Sequence, residues 1–192
     1  MQKLPIGTQS FSILRNNNYL YVDKTKYIYK MIEDGRVYFL SRPRRFGKSL
    51  LITTIKELFE GNKKLFEGLY IHDKWNWEEK YPVIILDFGG GNYKTPNDLE
   101  NKINNIIHRR AREFEVEIFS NTIDEKFTDL ITGVYNKTGE KVVVLVDEYD
   151  MHIIDSLNDI EVDKRNRDIL NSFYKVLKAT DNYLKFIFLT CV

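Results

Sequence analysis

Hydrophobic residues along the chain form four short continuous runs, separated by longer segments in which they recur at helical spacing. Each run is rich in β-branched and aromatic residues, and we predict strands at Val37–Ser41, Val83–Phe88, Val142–Asp147 and Lys185–Thr190. Continuous apolar runs are typical of strands that are buried on both faces of a parallel sheet. Helical segments between such strands indicate crossover connections, so the pattern predicts a layered α/β fold.

Three of the intervening segments predict amphipathic helices. The first carries apolar residues at helical spacing over 51–59 and is expected to stop at Gly61. The second begins at Thr95 and Pro96, a capping residue followed by a first-turn proline. The third covers about residues 163–180. We interpret the apolar stripes of all three as core packing.

Length and composition narrow the class of protein. A chain of 192 residues with 43% hydrophobic residues fits one domain, which we assign to residues 1–192. The net charge of +1 gives no overall attraction to nucleic acid or membrane, and no apolar run reaches the ~18 residues of a membrane span. The single cysteine, Cys191, excludes an intrachain disulfide and fits a reducing compartment, so we expect a cytoplasmic protein without a membrane partner. Because His72, His108 and His152 share no metal-ligand spacing, no zinc site is predicted.

The chain ends within an apolar run, residues 184–192, and no turn, polar tail or helix follows it. Domains rarely stop inside a core strand, because the exposed edge invites aggregation. We therefore expect the sequence to be a fragment whose domain is incomplete on its C-terminal side.

A strand, a basic loop and a helix start follow one another in residues 38–50 and indicate a phosphate-binding loop of the Walker A type. Backbone N–H groups of such a turn, with the positive end of the helix dipole, hold a di- or triphosphate. Lys48 would contact the outer phosphates and the Ser49 hydroxyl would bind Mg²⁺. We therefore predict ATP and Mg²⁺ as cofactors. The predicted cofactor-binding residues are Arg44, Arg45, Phe46, Gly47, Lys48, Ser49 and Leu50.

The loop departs from the usual G-x-x-x-x-G-K-[ST] pattern, because Arg42 stands where the first glycine belongs. Pro43 favours an extended conformation for Arg42, which an arginine adopts without positive φ. The alternative to a phosphate loop is a capped helix start with a solvated lysine. Arg44 and Arg45 would contact the phosphates or an acidic partner surface, or would be dispensable charges of a solvated loop.

A second motif, of the Walker B type, is the apolar strand Val142–Asp147 followed by Glu148. Two ionised side chains directly after a buried strand need a reason, because unpaired buried charge is costly. In a phosphate-loop ATPase the first carboxylate serves Mg²⁺ and the second polarises the attacking water. We assign these roles to Asp147 and Glu148 in that order, because neighbouring strand residues point to opposite sides. The alternative is an ordinary strand-to-loop exit.

Both motifs in one chain are rarer than either alone and predict a P-loop NTPase-type three-layer α/β fold with a mostly parallel sheet. In such folds a further strand lies between the two motif strands and places a polar residue near the γ-phosphate. Lys185–Thr190 is a suitable strand, and Thr190 stands at its carboxyl end, where ligands collect in open parallel sheets. We predict Thr190 as a catalytic residue beside Glu148, against the alternative of an ordinary strand-end threonine.

Further runs accompany these motifs, namely LPIG at 4–7, YVDKT at 21–25, YPVI at 81–84, FYKVLK at 173–178 and FLT at 188–190. With the arginine-rich loop SRPRRFGKS at 41–49 and VDEYD at 146–150, they resemble the bacterial AAA-ATPase-like domain over essentially the whole chain. The resemblance implies that arginine at position 42 is normal in this loop.

The resemblance also implies partners and two local differences. Full-length members usually continue further and often end in a nuclease-like domain of the PD-(D/E)xK type, which would add a nucleic-acid partner. Where the family typically has Lys-Pro after the second aspartate, this chain has Met151 and His152. Cys191 stands where the family has glycine after Leu-Thr.

Two questions stay open at the level of sequence. Asp23 or Thr25 would cap a helix carrying Tyr27, Ile28 and Met31, or residues 21–25 would contact a nucleotide base. The function is an Mg²⁺-dependent ATPase driving an attached effector, a nucleotide-binding switch without turnover, or a nucleic-acid-binding scaffold. The scaffold would use Arg42, Arg44, Arg45, Arg109 and Arg110, and it ranks third because the net charge is near neutral.

Overall fold

The computed structural model describes residues 2–90, 95–149 and 160–191. The strands of these residues are β1 (Val37–Ser41), β2 (Val83–Asp87), β3 (Val142–Asp147) and β4 (Leu184–Cys191). The helices are α1 (Phe11–Asn16), α2 (Thr25–Asp34), α3 (Lys48–Phe59), α4 (Pro96–Phe114), α5 (Ile123–Thr138) and α6 (Ile160–Ala179). Single 3₁₀ turns occur at Lys63–Phe66 and Asp181–Tyr183.

The four strands form one sheet in the order β1-β4-β3-β2, and every pairing is parallel. β4 therefore lies between the strand that precedes the basic loop and the strand that ends in Asp147. This is the arrangement that the two motifs predicted. Because all four strands run in the same direction, their carboxyl ends meet at one edge of the sheet.

Helices cover both faces of the sheet and bury two separate cores. One core joins α1, α2 and α3 to alternate residues of the strands, such as Val143 and Phe186. The other joins α4, α5 and α6 to the remaining strand residues, such as Val144 and Ile187. The molecule is thus a three-layer α/β fold, which confirms the fold class and the parallel sheet predicted from the sequence.

β1 is less buried than the sequence pattern predicted. In the described part of the chain it pairs with β4 on one side only, and its residues alternate between exposed and half-buried. Val37 and Phe39 are exposed on the face that α4, α5 and α6 cover elsewhere. The prediction of burial on both faces is correct for β3, whose six residues are all buried, and wrong for β1.

α1 and α5 were not predicted. α1 has only six residues, too few to show a helical period, and it is marked mainly by the Ser10 hydroxyl that accepts the Ile13 N–H. In α5 the buried residues Phe127, Leu130, Ile131 and Val134 do recur at helical spacing. Two threonines and a glycine interrupt that stripe with residues of low helix propensity, which hides it from propensity-based reasoning.

No helix within the described ranges is both long enough and apolar enough to cross a lipid bilayer.

Candidate functional site

The loop between β1 and α3 contains two residues with left-handed backbone. Gly47 caps α3 in the left-handed conformation, with φ of 76°, and Arg45 is also left-handed, with φ of 68°. Arg42 does not have positive φ, so an arginine can replace the usual glycine there, as expected. The N-terminal N–H groups of α3 have no capping side chain, so the helix start is open to an anion.

Lys48 is buried, with 7% of its surface exposed, and its ammonium group donates to the carbonyl oxygens of Arg42 (2.7 Å) and Pro43 (3.2 Å). A buried ammonium is costly unless negative charge compensates it, so this placement favours an anion near Lys48. The alternative of a solvated lysine at a capped helix start does not agree with this placement.

Asp147 and Thr190 are joined at the carboxyl edge of the sheet. The Thr190 hydroxyl donates to Asp147 Oδ1 over 2.5 Å, and both residues are buried. The Glu148 N–H donates to the Thr190 hydroxyl oxygen (3.2 Å) and to Asp147 Oδ1 (3.1 Å), and the Tyr149 N–H donates to the Thr190 carbonyl (2.9 Å). Thr190 therefore holds the end of β3, where we expected a residue near the γ-phosphate.

Glu148 lies one residue beyond β3 in a left-handed conformation, with φ of 54°. Strand alternation therefore does not apply to it, and Glu148 lines the same cavity as Asp147 instead of pointing to the opposite side. Left-handed backbone costs a glutamate roughly 1–3 kcal/mol and is enriched at functional sites. Burial raises the pKa of Glu148, the charges of Asp147 and Asp87 raise it further, and Lys48 and Arg44 act against them. A carboxylate with a raised pKa is better suited to accept a proton from water.

Asp87 is a third carboxylate at this edge, and it was missed in the sequence. It ends β2, pairs in register with Asp147, and accepts the Gly89 N–H over 2.8 Å. The signal was present, because Asp87 follows an apolar strand just as Asp147 does. Gly89 lies close to two of these carboxylates. A Cβ at this position would lie 2.8 Å from Glu148 Oε2 and 3.0 Å from Asp87 Oδ1.

Two adjoining cavities connect the predicted residues. A carboxylate cavity of about 430 Å³ is lined by Ser49, Asp87, Asp147 and Glu148, together with Gln9 and Ser10 of the N-terminal segment. A basic cavity of about 730 Å³ is lined by Arg44, Arg45, Gly47, Lys48, Ser49, Leu50 and Glu148, together with residues 6–9. The loop after β1 and the end of β3 thus converge on one space, with Ser49 and Glu148 shared by both cavities.

The oxygen-bearing side chains of the carboxylate cavity are suitable ligands for a magnesium ion. Mg²⁺ prefers oxygen ligands and is usually held by one or two carboxylates together with substrate phosphates. The Ser49 hydroxyl and the Asp147 carboxylate are such ligands and line the same cavity. Within the described ranges no group of three or more His, Cys, Asp or Glu residues is arranged to hold a metal, so an ion here would depend on the phosphates for its remaining ligands.

In the segment 21–25, Asp23 and Thr25 make hydrogen bonds that stabilise the fold. Asp23 accepts the Thr25 N–H (2.8 Å) and hydroxyl (2.7 Å), and it also accepts the Tyr70 N–H (2.7 Å). The residue that precedes α2 is Lys24, and it makes no side-chain cap. Asp23 stands one position before the N-cap residue Lys24, and its carboxylate accepts the first N–H of α2. It therefore caps the helix, as we expected. Tyr21 and Val22 line a separate apolar cavity beside Gly47.

A comparison with known protein families agrees with this geometry. The model of a family described as a predicted AAA-ATPase matches residues 5–192. The chain belongs to this AAA-ATPase-like family. It is also 43% identical over its whole length to an uncharacterized protein of Azotobacter chroococcum mcd 1, named for the region 5′ of vnfD. The chain spans 37% of that relative's length.

Membership in the AAA-ATPase-like family supports a nucleotide-binding, ATPase-like role. Of the two local differences from the family pattern, Cys191 is buried at the end of β4, where its carbonyl accepts the Arg42 N–H (3.2 Å). A cysteine at this position is thus compatible with the pairing of β4 and β1 up to their carboxyl ends. Asp150, Met151 and His152 lie outside the described residues.

Proposed function

We propose that this chain binds ATP with Mg²⁺ and hydrolyses it, and that hydrolysis drives a conformational change in an attached effector. The single observation that carries the proposal is the hydrogen bond from Thr190 to Asp147, because it connects the middle strand of the sheet to the carboxylates facing the phosphate loop. The family membership supports the nucleotide-binding part of this proposal.

In the proposed complex the triphosphate lies in the basic cavity, against the N-terminus of α3. Lys48 would leave the carbonyls of Arg42 and Pro43 and bind the outer phosphates, while Arg44 and Arg45 add positive charge at the cavity wall. Phe46 belongs to the same loop, and Leu50 lines the basic cavity. These roles follow from placement and charge.

Ser49 and Asp147 would hold the magnesium ion, which when bound neutralises charge on the phosphates. Glu148 would orient water and accept its proton, for which its raised pKa is favourable. Thr190 would keep Asp147 and the Glu148 backbone in position, through the hydrogen bonds that both make to its hydroxyl.

The alternative of a nucleotide-binding switch without turnover uses the same phosphate site. The alternative of a nucleic-acid scaffold has less support, because Arg110 donates to the Ile85 carbonyl and pairs with Glu113. Arg110 is therefore hydrogen-bonded within the fold and does not form a free basic surface with Arg109.

Two substitutions distinguish an ATPase from a nucleotide-binding switch without turnover. Lys48→Ala removes charge-assisted hydrogen bonds to the phosphates and should weaken ATP binding roughly 10- to 100-fold. Glu148→Gln keeps the size of the side chain but cannot accept a proton, so ATP binding should persist while turnover falls by about 100-fold or more. Calorimetry measures binding, and release of inorganic phosphate measures turnover.

Matched controls are Lys141→Ala and Glu140→Gln, which change exposed residues at the turn before β3. Both should leave binding and turnover unchanged. Turnover that survives Glu148→Gln would remove this residue from the mechanism. Binding without any turnover in the unaltered protein would instead favour the switch.

A further inference from the structure

An apolar cavity beside the phosphate loop is not used by any of the roles assigned above. It has a volume of about 680 Å³ and lies between the N-terminal segment, residues 20–28 and the first turns of α3. Four of its lining side chains are large hydrophobic groups that are exposed to solvent, namely Leu4, Leu20, Val22 and Phe46. Its volume is in the range of small-molecule sites, which are mostly apolar with few polar groups.

The cavity adjoins the basic cavity. Gly47 and Leu50 line both, so the two spaces lie on either side of the turn that begins α3. A ligand with its phosphates at Lys48 would therefore carry the group at its other end into apolar surroundings.

The N-terminal segment passes along all three cavities in sequence order. Leu4 and Pro5 line the apolar cavity, residues 6–9 line the basic cavity, and Gln9 and Ser10 line the carboxylate cavity. This order matches a nucleoside triphosphate from its base, through its phosphates, to the reacting end.

The segment is held in place by hydrogen bonds at both ends. The Lys3 carbonyl accepts the Leu20 N–H over 2.9 Å. The Thr53 hydroxyl, on α3, donates to the Gln9 carbonyl (3.0 Å) and accepts the Phe11 N–H (3.1 Å). The wall of the apolar cavity is therefore fixed to the same helix that carries Lys48 and Ser49.

We propose that the apolar cavity binds the base of the nucleotide and that Phe46, with 68% of its surface exposed, stacks on it. The proposal rests on the proposed ATP-binding function and adds to it the place of the base. An aromatic ring presents a face on which any nucleobase can stack. Burial of this ring and of Val22 by a base would also explain why apolar side chains stand exposed at this point.

The test compares two ligands that share a triphosphate, namely Mg²⁺-ATP and Mg²⁺-tripolyphosphate, which lacks the ribose and the base. The unaltered protein should bind ATP more tightly than tripolyphosphate. Phe46→Ala should weaken ATP binding about 10-fold and leave tripolyphosphate binding unchanged, because only the stacking contact is lost. Phe119→Ala, which removes another exposed phenylalanine, between α4 and α5, should change neither affinity.

A second variant gives a direct signal. Phe46→Trp retains an aromatic face and should keep the ATP affinity, and its added fluorescence should be quenched by ATP but not by tripolyphosphate. Thermal melting of each variant confirms that it is folded.

The outcomes distinguish failure of this inference from failure of the proposed function. If ATP and tripolyphosphate bind equally and Phe46→Ala has no effect, the base lies elsewhere and the phosphate site stands. If Phe46→Ala weakens both ligands alike, Phe46 acts by shaping the loop and the inference is overturned. If neither ligand binds, the proposed function fails and this inference fails with it.

Discussion

At the carboxyl edge of the sheet, one oxygen atom positions two neighbouring residues. Asp147 Oδ1 accepts both the Thr190 hydroxyl and the Glu148 N–H, so one oxygen fixes the positions of two neighbours. Glu148 departs from the strand at this point and adopts left-handed backbone. The carboxylate of Glu148 thereby comes to lie against Gly89, which has no side chain.

Gly89→Ala should lower turnover roughly 10- to 100-fold, since a displacement of about 1 Å is enough to disturb a catalytic group. The added Cβ would push on the Glu148 carboxylate, which is the flexible end of a side chain, so the fold should be retained. Because Gly89 does not have positive φ, alanine is allowed there. ATP affinity and the melting temperature should stay close to those of the unaltered protein.

The matched control is Gly35→Ala, where a Cβ would likewise meet the end of a side chain, the Tyr38 hydroxyl at 2.9 Å. It lies at the end of α2, before β1 and away from the carboxylates, and should leave turnover unchanged. Normal turnover in Gly89→Ala would show that the Glu148 carboxylate tolerates displacement.

At the scale of elements, the Asp23 carboxylate connects the start of α2 to the Tyr70 backbone. Burial alone would raise the pKa of Asp23, but hydrogen bonds from the Tyr70 N–H and from the Thr25 hydroxyl and N–H outweigh it and lower the pKa below its usual value. The ionised form of Asp23 thus stabilises the folded state. This contribution is present above the unfolded pKa of 3.8 and is lost as the pH falls through the lower folded pKa.

Asp23→Asn should destabilise the protein by about 1 kcal/mol at neutral pH, a value reduced from that of a buried pair because Asp23 is partly exposed to solvent. The difference from the unaltered protein should shrink as the pH falls below 4. Urea unfolding at several pH values measures it. A difference that stays constant with pH would show that the hydrogen bonds do not depend on the charge.

The middle of α5 packs unusually close to the chain that follows α4. A Cβ on Gly133 would overlap Val116 Cγ1, so Gly133 is required for this contact and not only tolerated in the helix. Helix propensity alone predicts that Gly133→Ala stabilises the protein by up to about 1 kcal/mol. We expect the opposite, a loss of about 1–3 kcal/mol from overpacking.

The Val116→Ala background removes the clashing methyl group, and there Gly133→Ala should no longer destabilise. Denaturant unfolding of both single variants and the double variant gives the interaction free energy. Additive single effects would mean that the two residues do not meet.

At the scale of the whole molecule, the position of β4 determines which residues meet. The order β1-β4-β3-β2 places Thr190 between the phosphate loop and Asp147, although these lie far apart in the sequence. β3 and β4 are hydrogen-bonded on both sides, and nearly all of their side chains are buried. β1 has one hydrogen-bonded neighbour among the described strands and exposed side chains.

Hydrogen exchange should follow this arrangement. Amides of β3 and β4 should exchange slowest and those of β1 fastest among the four strands, because local opening is easiest in an edge strand whose side chains are exposed. Addition of Mg²⁺-ATP should slow exchange in the loop after β1 and in the residues that follow Asp147. Mass spectrometry of digested fragments measures both, and uniform protection across the four strands would contradict the expectation.

Most of the sheet could be predicted because its strands are short, apolar and bounded by charges or turns. Ser49, Asp147, Glu148 and Thr190 carry local motifs, and the structure places them around shared space. Asp87 ends a strand in the same way, but no single motif connects it to the others before the order of strands is known. The exposure of β1 depends on its neighbours in space, which local periodicity does not report.

The order of the strands also has a consequence during synthesis. β4 is made after β1, β2 and β3, yet it must enter between two of them, so both of its neighbours have an unpaired edge until it arrives. A nascent chain that has reached α6 therefore contains the phosphate loop and the carboxylates but cannot yet bring them together. We expect chaperone dependence or aggregation to be greatest at this stage of translation.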